Sequence, residues 1–352
     1  MVAEWDALAR RLCAPPQQRP GWLEAWWQAF GTDRLRLYAL KCEGRLAAVL
    51  PMIRRGDDFV GAANVHTPGF AMTTESPAAA DALAEMVYSD APRRVSLVDL
   101  EPGGETFRAF LHAAHVAGYS VLIRPWCCSP YLAVDGSWEV YESRLGKNLV
   151  RNLRRRSNQI ALRGDVRFQF SDGSTDLDAL LAEAFRVEAS GWKGRHGTAI
   201  AADPRTRKFY TALARWATSE GTFRLAFLRL DGRAIAMDYR IIQGSVCHSL
   251  KAGYDEEFHR YSPGTLLLHA VLRRCFAAPG ISRIEFYGNG EDYKFLWTRT
   301  TAERLRLEAF APTLRGHSRR VAFVYGRPLA TRLAAAGRRL FPINFHLAGA
   351  RS

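Results

Sequence analysis

The stretch Tyr254-Asp255-Glu256-Glu257-Phe258-His259-Arg260-Tyr261-Ser262-Pro263-Gly264-Thr265 joins a strand pattern to a helix pattern. Ser262 is a favoured N-cap residue and Pro263 suits the first helical position. Gly264 and Thr265 keep the first turn small, so a ligand can approach its free backbone N–H groups. Such an N-terminus accepts a phosphate, and Arg260 beside it adds a charged clamp. An ordinary capped helix carries the same local features, so both readings stand here.

A second group is the basic run Lys147 to Arg156, with Arg151, Arg154 and Arg155 inside it. It fits three uses: a clamp for donor phosphates, a surface for tRNA or an acidic saccharide, or a solvated helix face. The aromatic residues that a single-strand binder would interleave are missing. Alternation puts His248 and Lys251 on opposite faces of their strand. The adjacent Cys127-Cys128 lacks a neighbouring base and reads as a pair of buried structural thiols, and Trp26-Trp27 reads as helix packing.

The elements that must hold these residues follow from periodicity. Helix patterns cover 22–30, 78–88, 105–117, 138–162, 176–190 and 204–219, with another starting near Pro263 and a short one near Glu291. Strand patterns cover 34–42, 45–53, 94–100, 119–124, 131–134, 166–170, 222–230, 233–242, 245–254, 282–287 and 304–310. Glu43-Gly44, Asp231-Gly232 and Gln243-Gly244 are hairpin turns. Residues 58–74, with Gly61, Pro68 and Gly69, read as loop or irregular strand. The second half runs β-α-α-β-β-β-α-β-α-β, and the first is a looser version of the same order. Two similar halves with mixed sheets and helices on their faces are expected.

The 352 residues contain 48% hydrophobic and 24% charged residues, which excludes a disordered or fibrous chain. Forty-nine Lys and Arg against 35 Asp and Glu give a net charge of +14, which favours anionic partners. Six scattered cysteines show no ligand spacing, so neither a metal nor a disulfide framework is expected. Met1–Arg11 lacks a signal-peptide core and no run of 18 apolar residues occurs, so a cytoplasmic, soluble protein is expected. After Glu308 there is no acidic residue, while Arg315, Arg319, Arg320, Arg327, Arg332, Arg338, Arg339 and Arg351 interleave with apolar residues. That tail reads as a basic helix packed on the second domain or touching an anionic surface at the inner membrane face.

Five segments then carry a family resemblance. They are Lys147–Arg155, Glu188-Ala189-Ser190-Gly191-Trp192-Lys193-Gly194, Leu230–Ala236, Tyr254-Asp255 with Ser262-Pro263-Gly264, and Gly290-Glu291-Asp292-Tyr293-Lys294-Phe295-Leu296-Trp297. In this order, from about Leu145 to Phe310, the chain resembles the GNAT acyltransferase superfamily, and within it the CelD-like branch of cellulose biosynthesis. The first half looks like the degenerate half of tandem members, including Fem-type aminoacyl transferases. The implied fold is α/β (an α+β mixed sheet) with two tandem GNAT-like domains, the first degenerate and the second complete. The expected bounds are 1–135, 136–312 and a basic helical tail at 313–352.

The resemblance implies direct acyl transfer from a thioester to an amine or hydroxyl. It implies a sheet that splays after strand 245–254, with acyl-CoA as donor, bound through Arg260, Tyr261, Ser262, Pro263, Gly264 and Thr265. The common signature has two glycine-type positions after its Arg or Gln, whereas this chain has only Gly264. Glu188, beside Trp192, and Asp255 are the candidate bases; a surface ion pair and a turn cap are their bland alternatives. Tyr293 occupies the place of a thiolate-protonating tyrosine. Trp192, Lys193, Lys294 and Arg151 are the substrate-binding candidates. The acceptor implied is a sugar, amino sugar or lipid-linked precursor. The alternatives are a Fem-type aminoacyl-tRNA-dependent transferase and a non-catalytic GNAT-like module of polysaccharide export at the membrane.

Overall fold

The computed structural model describes residues 1–191, 197, 199–288 and 290–326. In chain order the first half contains α1 (Val2–Arg11), α2 (Pro20–Phe30), β1 (Arg34–Cys42), β2 (Arg45–Arg55), β3 (Asp58–Gly61), β4 (Thr73–Thr74), α3 (Pro77–Ser89), β5 (Arg94–Leu100), α4 (Glu105–Val116) and β6 (Ser120–Ala133). The second half contains α5 (Trp138–Arg144), α6 (Lys147–Ala161), β7 (Val166–Ser171), α7 (Leu177–Ala189), α8 (Pro204–Ser219), β8 (Phe223–Leu230), β9 (Arg233–Gln243), β10 (Val246–Tyr254), α9 (Pro263–Ala277), β11 (Arg283–Glu285) and β12 (Thr301–Phe310). A last helix, α10 (Leu314–Val321), runs into a wide helical turn at Ala322–Gly326.

The strands form a single mixed sheet in the order β1-β2-β3-β5-β12-β6-β11-β10-β9-β8-β7, with β4 attached to β2. Pairing is antiparallel except for β3 beside β5 and β10 beside β11. The fold is therefore mixed α/β, as the resemblance implies. Each half has one short parallel contact, Asp58–Val60 with Arg94–Ser96 and Val246–His248 with Arg283–Glu285.

Three local departures from the sequence pattern have physical reasons. The 138–162 helix pattern is two helices, because Leu145 is extended and Gly146 starts the second. Strands 119–124 and 131–134 are one strand, β6, in which Pro125 sits where the register with β12 shifts; a bulge tolerates a residue without an N–H. Cys127 is half-buried and Cys128 exposed rather than buried, because β6 shows that stretch toward solvent.

The halves share a core. Trp22 and Trp26 of α2 pack with Phe209 and Leu213 of α8 and with Phe223 and Tyr239 of the second half's strands. Trp22 meets Phe209 edge-on at 5.6 Å. Buried Arg19 ties Asp6 (2.6 Å) to Glu220 (2.7 Å) across the same boundary. Strand β12 lies between β5 and β6, so the end of the second half completes the sheet of the first. Arg319 of α10 reaches Asp58 at 2.8 Å, and Phe323 lies 5.1 Å from the Arg306 guanidinium. The rest of the basic tail, 327–352, falls outside the described residues. Among the described residues no helix is long and apolar enough to cross a membrane.

Candidate active site

Strand β10 pairs with β9 along its length but with β11 only through Val246–His248. Past His248 the two strands part, β11 ending at Glu285 while β10 runs on to Tyr254, and this divergence is the gap in the sheet. Between Ser249 and Lys251 the register slips, leaving Leu250 as a bulge. This corrects the simple alternation. His248 lies opposite Ile241 and Lys251 opposite Tyr239, two residues apart on β9, so His248 and Lys251 share a face. Lys251 Nζ lies 5.3 Å over the Tyr210 ring of α8 on that face.

The gap leads to the start of α9. Ser262 stands there in the left-handed conformation (φ 51°, ψ 50°), and its hydroxyl makes no capping bond. Its carbonyl instead accepts from Thr265 N (3.0 Å) and Leu266 N (3.1 Å). Gly264 is packed, not open: a Cβ there would lie 3.2 Å from Tyr254 Cδ1. Tyr261 and Pro263 are buried, which pins the turn, while Arg260 is exposed with its guanidinium 4.8 Å from the Tyr261 ring.

Asp255 is 5% exposed and accepts from Arg233 (2.6 Å) and from Glu257 N (3.2 Å), with Arg186 at 3.9 Å. Helix α6 packs on α9 and on the 256–261 turn, burying Leu153 and Ile160. Its cationic face, including Arg151, points outward beside that turn, and Arg151 donates to Asn148 Oδ1 at 2.9 Å.

Glu188, near the end of α7, lies on the other side of β10. It is 1% exposed and accepts from Ile200 N at 2.7 Å. Gly253 makes this approach feasible, since a Cβ there would sit 2.8 Å from Glu188 Cα. Tyr293 is 47% exposed; even so, desolvation, with the Glu291 charge, raises its phenol above the usual value, and Asp238 and Arg240 of β9 also act on it. Lys294 is buried, donating to Tyr287 O and pairing with Glu291, both at 2.5 Å. Trp192 and Lys193 lie outside the described residues.

Residues 147–295 match the family model of the acetyltransferase (GNAT) domain. Among curated proteins none matches the chain. Among solved structures it is similar to FemX (TM-score 0.59, 13% identity, covering 88% of this chain and 95% of that one). It is also similar to a conserved protein of unknown function from Bacteroides thetaiotaomicron (0.57, 11%, 88% and 97%) and to L-PGS from Bacillus licheniformis (0.51, 12%, 84% and 94%). At these identities the likeness is one of fold, and it extends over both halves.

Around the gap the structure gathers Asp255, the Arg260–Thr265 turn and the α6 helix of Arg151 on one side of β10. Glu188 stands on the other. That second side holds residues the sequence did not single out. His66 of the first half stacks on Phe30 (5.4 Å between centroids) and lies within 3.4 Å of Tyr210 Oη and 3.3 Å of Thr206 Oγ1 of the GNAT domain. Burial, with the Lys251 charge, pushes His66 down to about 4. Its only sequence signal was a Gly- and Pro-bearing loop, and which helix that loop touches is set by long-range packing.

Proposed function

We propose that the GNAT domain transfers an acyl group from acyl-CoA directly to an amine or hydroxyl acceptor, without a covalent enzyme intermediate. One observation carries this reading: β10 runs on past the end of its β11 ladder, through its bulge, to a helix start that its own serine does not cap. The pantetheine arm would lie along β10 in the gap. The pyrophosphate would meet the first-turn N–H of Gly264 and the Thr265 side chain, with Tyr261, Ser262 and Pro263 shaping the turn. Arg260 and the cations of α6, Arg151 among them, would neutralise it.

In the transfer the acceptor attacks the thioester carbon, the carbonyl pair moves to oxygen, and its return expels the thiolate. Of the two carboxylates, Asp255 is engaged by Arg233 and the turn it caps. Glu188, buried behind Gly253 on the acceptor side and oriented by Ile200 N, is the proton acceptor in this reading. The Tyr293 hydroxyl would return a proton to the thiolate. Lys294 holds the 287–294 loop rather than the substrate. Trp192 and Lys193 remain the acceptor-binding residues that the family resemblance suggests, and a sugar, amino sugar or lipid-linked precursor remains the acceptor class. Residues 1–135 act as a GNAT-like half without a donor site, and 313–352 as a basic tail able to touch an anionic membrane.

Calorimetric titration of nucleic-acid-free protein with acetyl-CoA and CoA tests this, with Thr265→Asp alongside. That carboxylate favours the helix start but repels phosphate. Saturable binding weakened at least ~100-fold in the variant, with an unchanged Tm, is expected. A second reading, a Fem-type transferase using aminoacyl-tRNA, draws on the FemX-like fold across both halves. It predicts no acyl-CoA binding and a charged-tRNA affinity that falls steeply with salt.

A further inference from the structure

At the foot of the gap stands a pair of side chains with no role in the account above. His248 occupies the last rung of the β10–β11 ladder, opposite Glu285, and is 3% exposed. Its Nδ1 lies 2.5 Å from Tyr287 Oη, with the two rings nearly parallel (13°). Its Nε2 is buried and has no hydrogen-bond partner among the described residues. Leaving such an atom unpaired is unfavourable, so its persistence here needs a reason.

Tyr287 is placed with effort. It stands at φ +50°, a conformation that aromatic residues rarely adopt, and Lys294 Nζ holds its carbonyl. Burial keeps its phenol protonated, and among the described residues His248 Nδ1 is the one hydrogen-bond partner of the hydroxyl. An Nδ1–H donating to Oη would leave both the phenol proton and Nε2 unpaired, so the hydroxyl proton points to His248 Nδ1. A neutral ring that accepts at Nδ1 carries its proton on Nε2. Burial, with the Arg283 charge, holds His248 down to about 3, so the ring is neutral.

The gap opens immediately beyond this rung, and two residues further on the Leu250 bulge leaves the β9 ladder. An acyl carbonyl at the closed end of the gap would meet the bulge from along the strand and His248 from the seam side. We propose that His248 Nε2–H is a side-chain donor to the acyl carbonyl oxygen, and that Tyr287 is the positioning residue that fixes this tautomer. The proposal rests on reading the gap as the acyl-donor site. As the acceptor attacks, the carbonyl pair becomes an oxyanion facing this donor; it returns when the carbon–sulfur bond breaks. The Nε2 proton stays on the ring throughout, so His248 stabilises charge and transfers nothing.

Acetyl-CoA labelled with carbon-13 at the acetyl carbonyl, bound to the full chain, tests this by isotope-edited infrared spectroscopy. The bound carbonyl band is expected below its position in water, and His248→Ala should move it back up with CoA affinity within ~3-fold of wild type. Tyr287→Phe should give an intermediate band. In the ligand-free wild type, nitrogen-15 NMR should show the Nε2–H tautomer of His248 between pH 5 and 8, and Tyr287→Phe should mix the two tautomers. Once an acceptor is known, His248→Ala should lower kcat by ~100-fold at unchanged KM. Binding with a band unmoved by His248→Ala overturns this inference alone, as does an Nδ1–H tautomer in the wild type. Failure of the wild type to bind acetyl-CoA removes the donor-site reading and this inference with it. The wild-type tautomer decides the matter even where a variant does not fold.

Discussion

Both halves start a helix with Ser-Pro after the strand that makes their parallel contact, and they use it differently. In the first half, Ser76 is extended (φ −158°, ψ 155°) and its hydroxyl accepts from Ala79 N at 3.2 Å, so α3 is capped by its own chain. In the second, Ser262 is left-handed and caps nothing. The strands before these helices differ in the same sense. β3 ends at Gly61, where a Cβ would lie 2.9 Å from the Phe70 ring, so Phe70 plugs the space over the end of β3. β10 continues to Tyr254, six residues past its contact. The same Ser-Pro signal thus marks a helix start capped by its own serine in one half and one left uncapped by it in the other; the backbone angle of the serine decides which.

Removing the plug is the severest way to break this comparison. Phe70→Ala should cost about 3–5 kcal/mol of stability in urea unfolding, because a buried ring leaves a cavity. It should add no CoA binding, since α3 stays capped; binding at a second site would overturn the contrast. Gly253→Ala should cost about 1–3 kcal/mol, because backbone and not a flexible chain end stands 2.8 Å from the new Cβ. An unfolding midpoint equal to wild type would show that α7 can move off β10.

The buried histidines give a pH test, one on each side of the seam. Folded values of about 4 for His66 and about 3 for His248 lie below the unfolded value of about 6.5. The unfolded chain therefore binds the extra protons, and stability is lost as pH falls from about 6.5 toward those values. Between pH 7 and 5 each should remove about 1–2 kcal/mol, and His66→Gln should flatten its share in urea titrations at the two pH values.

The smallest effects sharpen the contrast between the two serines. Ser76→Ala should lose about 1 kcal/mol as a cap is removed. Ser262→Gly should gain about 0.5 kcal/mol, because glycine enters the left-handed region without strain. Equal shifts at both serines in thermal melts would erase the difference.

What could be read in the sequence was local. The hairpin dipeptides, the start of α9 and the order of strands 222–254 follow from turn chemistry and from periods of two and 3.6. Three features of the site are not local. The Leu250 bulge inserts one residue and reverses the facing of everything after it, so alternation misplaced Lys251 against His248. Asp255 is an acid by type, but its partners Arg233 and Arg186 come from β9 and α7. The packing of His66 on α8 joins residues about 140 positions apart, and no window of sequence contains both.

The position of β12 also orders events in time. During synthesis the first half emerges with β5 and β6 made but the strand between them still to come, since residues 301–310 are produced last among the strands. Until then the facing edges of both strands carry unsatisfied N–H and C=O groups, which invite pairing with other chains. The nascent protein must therefore shelter two open edges for most of its translation. A chain ending before Thr301 would keep them permanently, so expression of 1–300 should give aggregates in which the second half can be native and the first cannot.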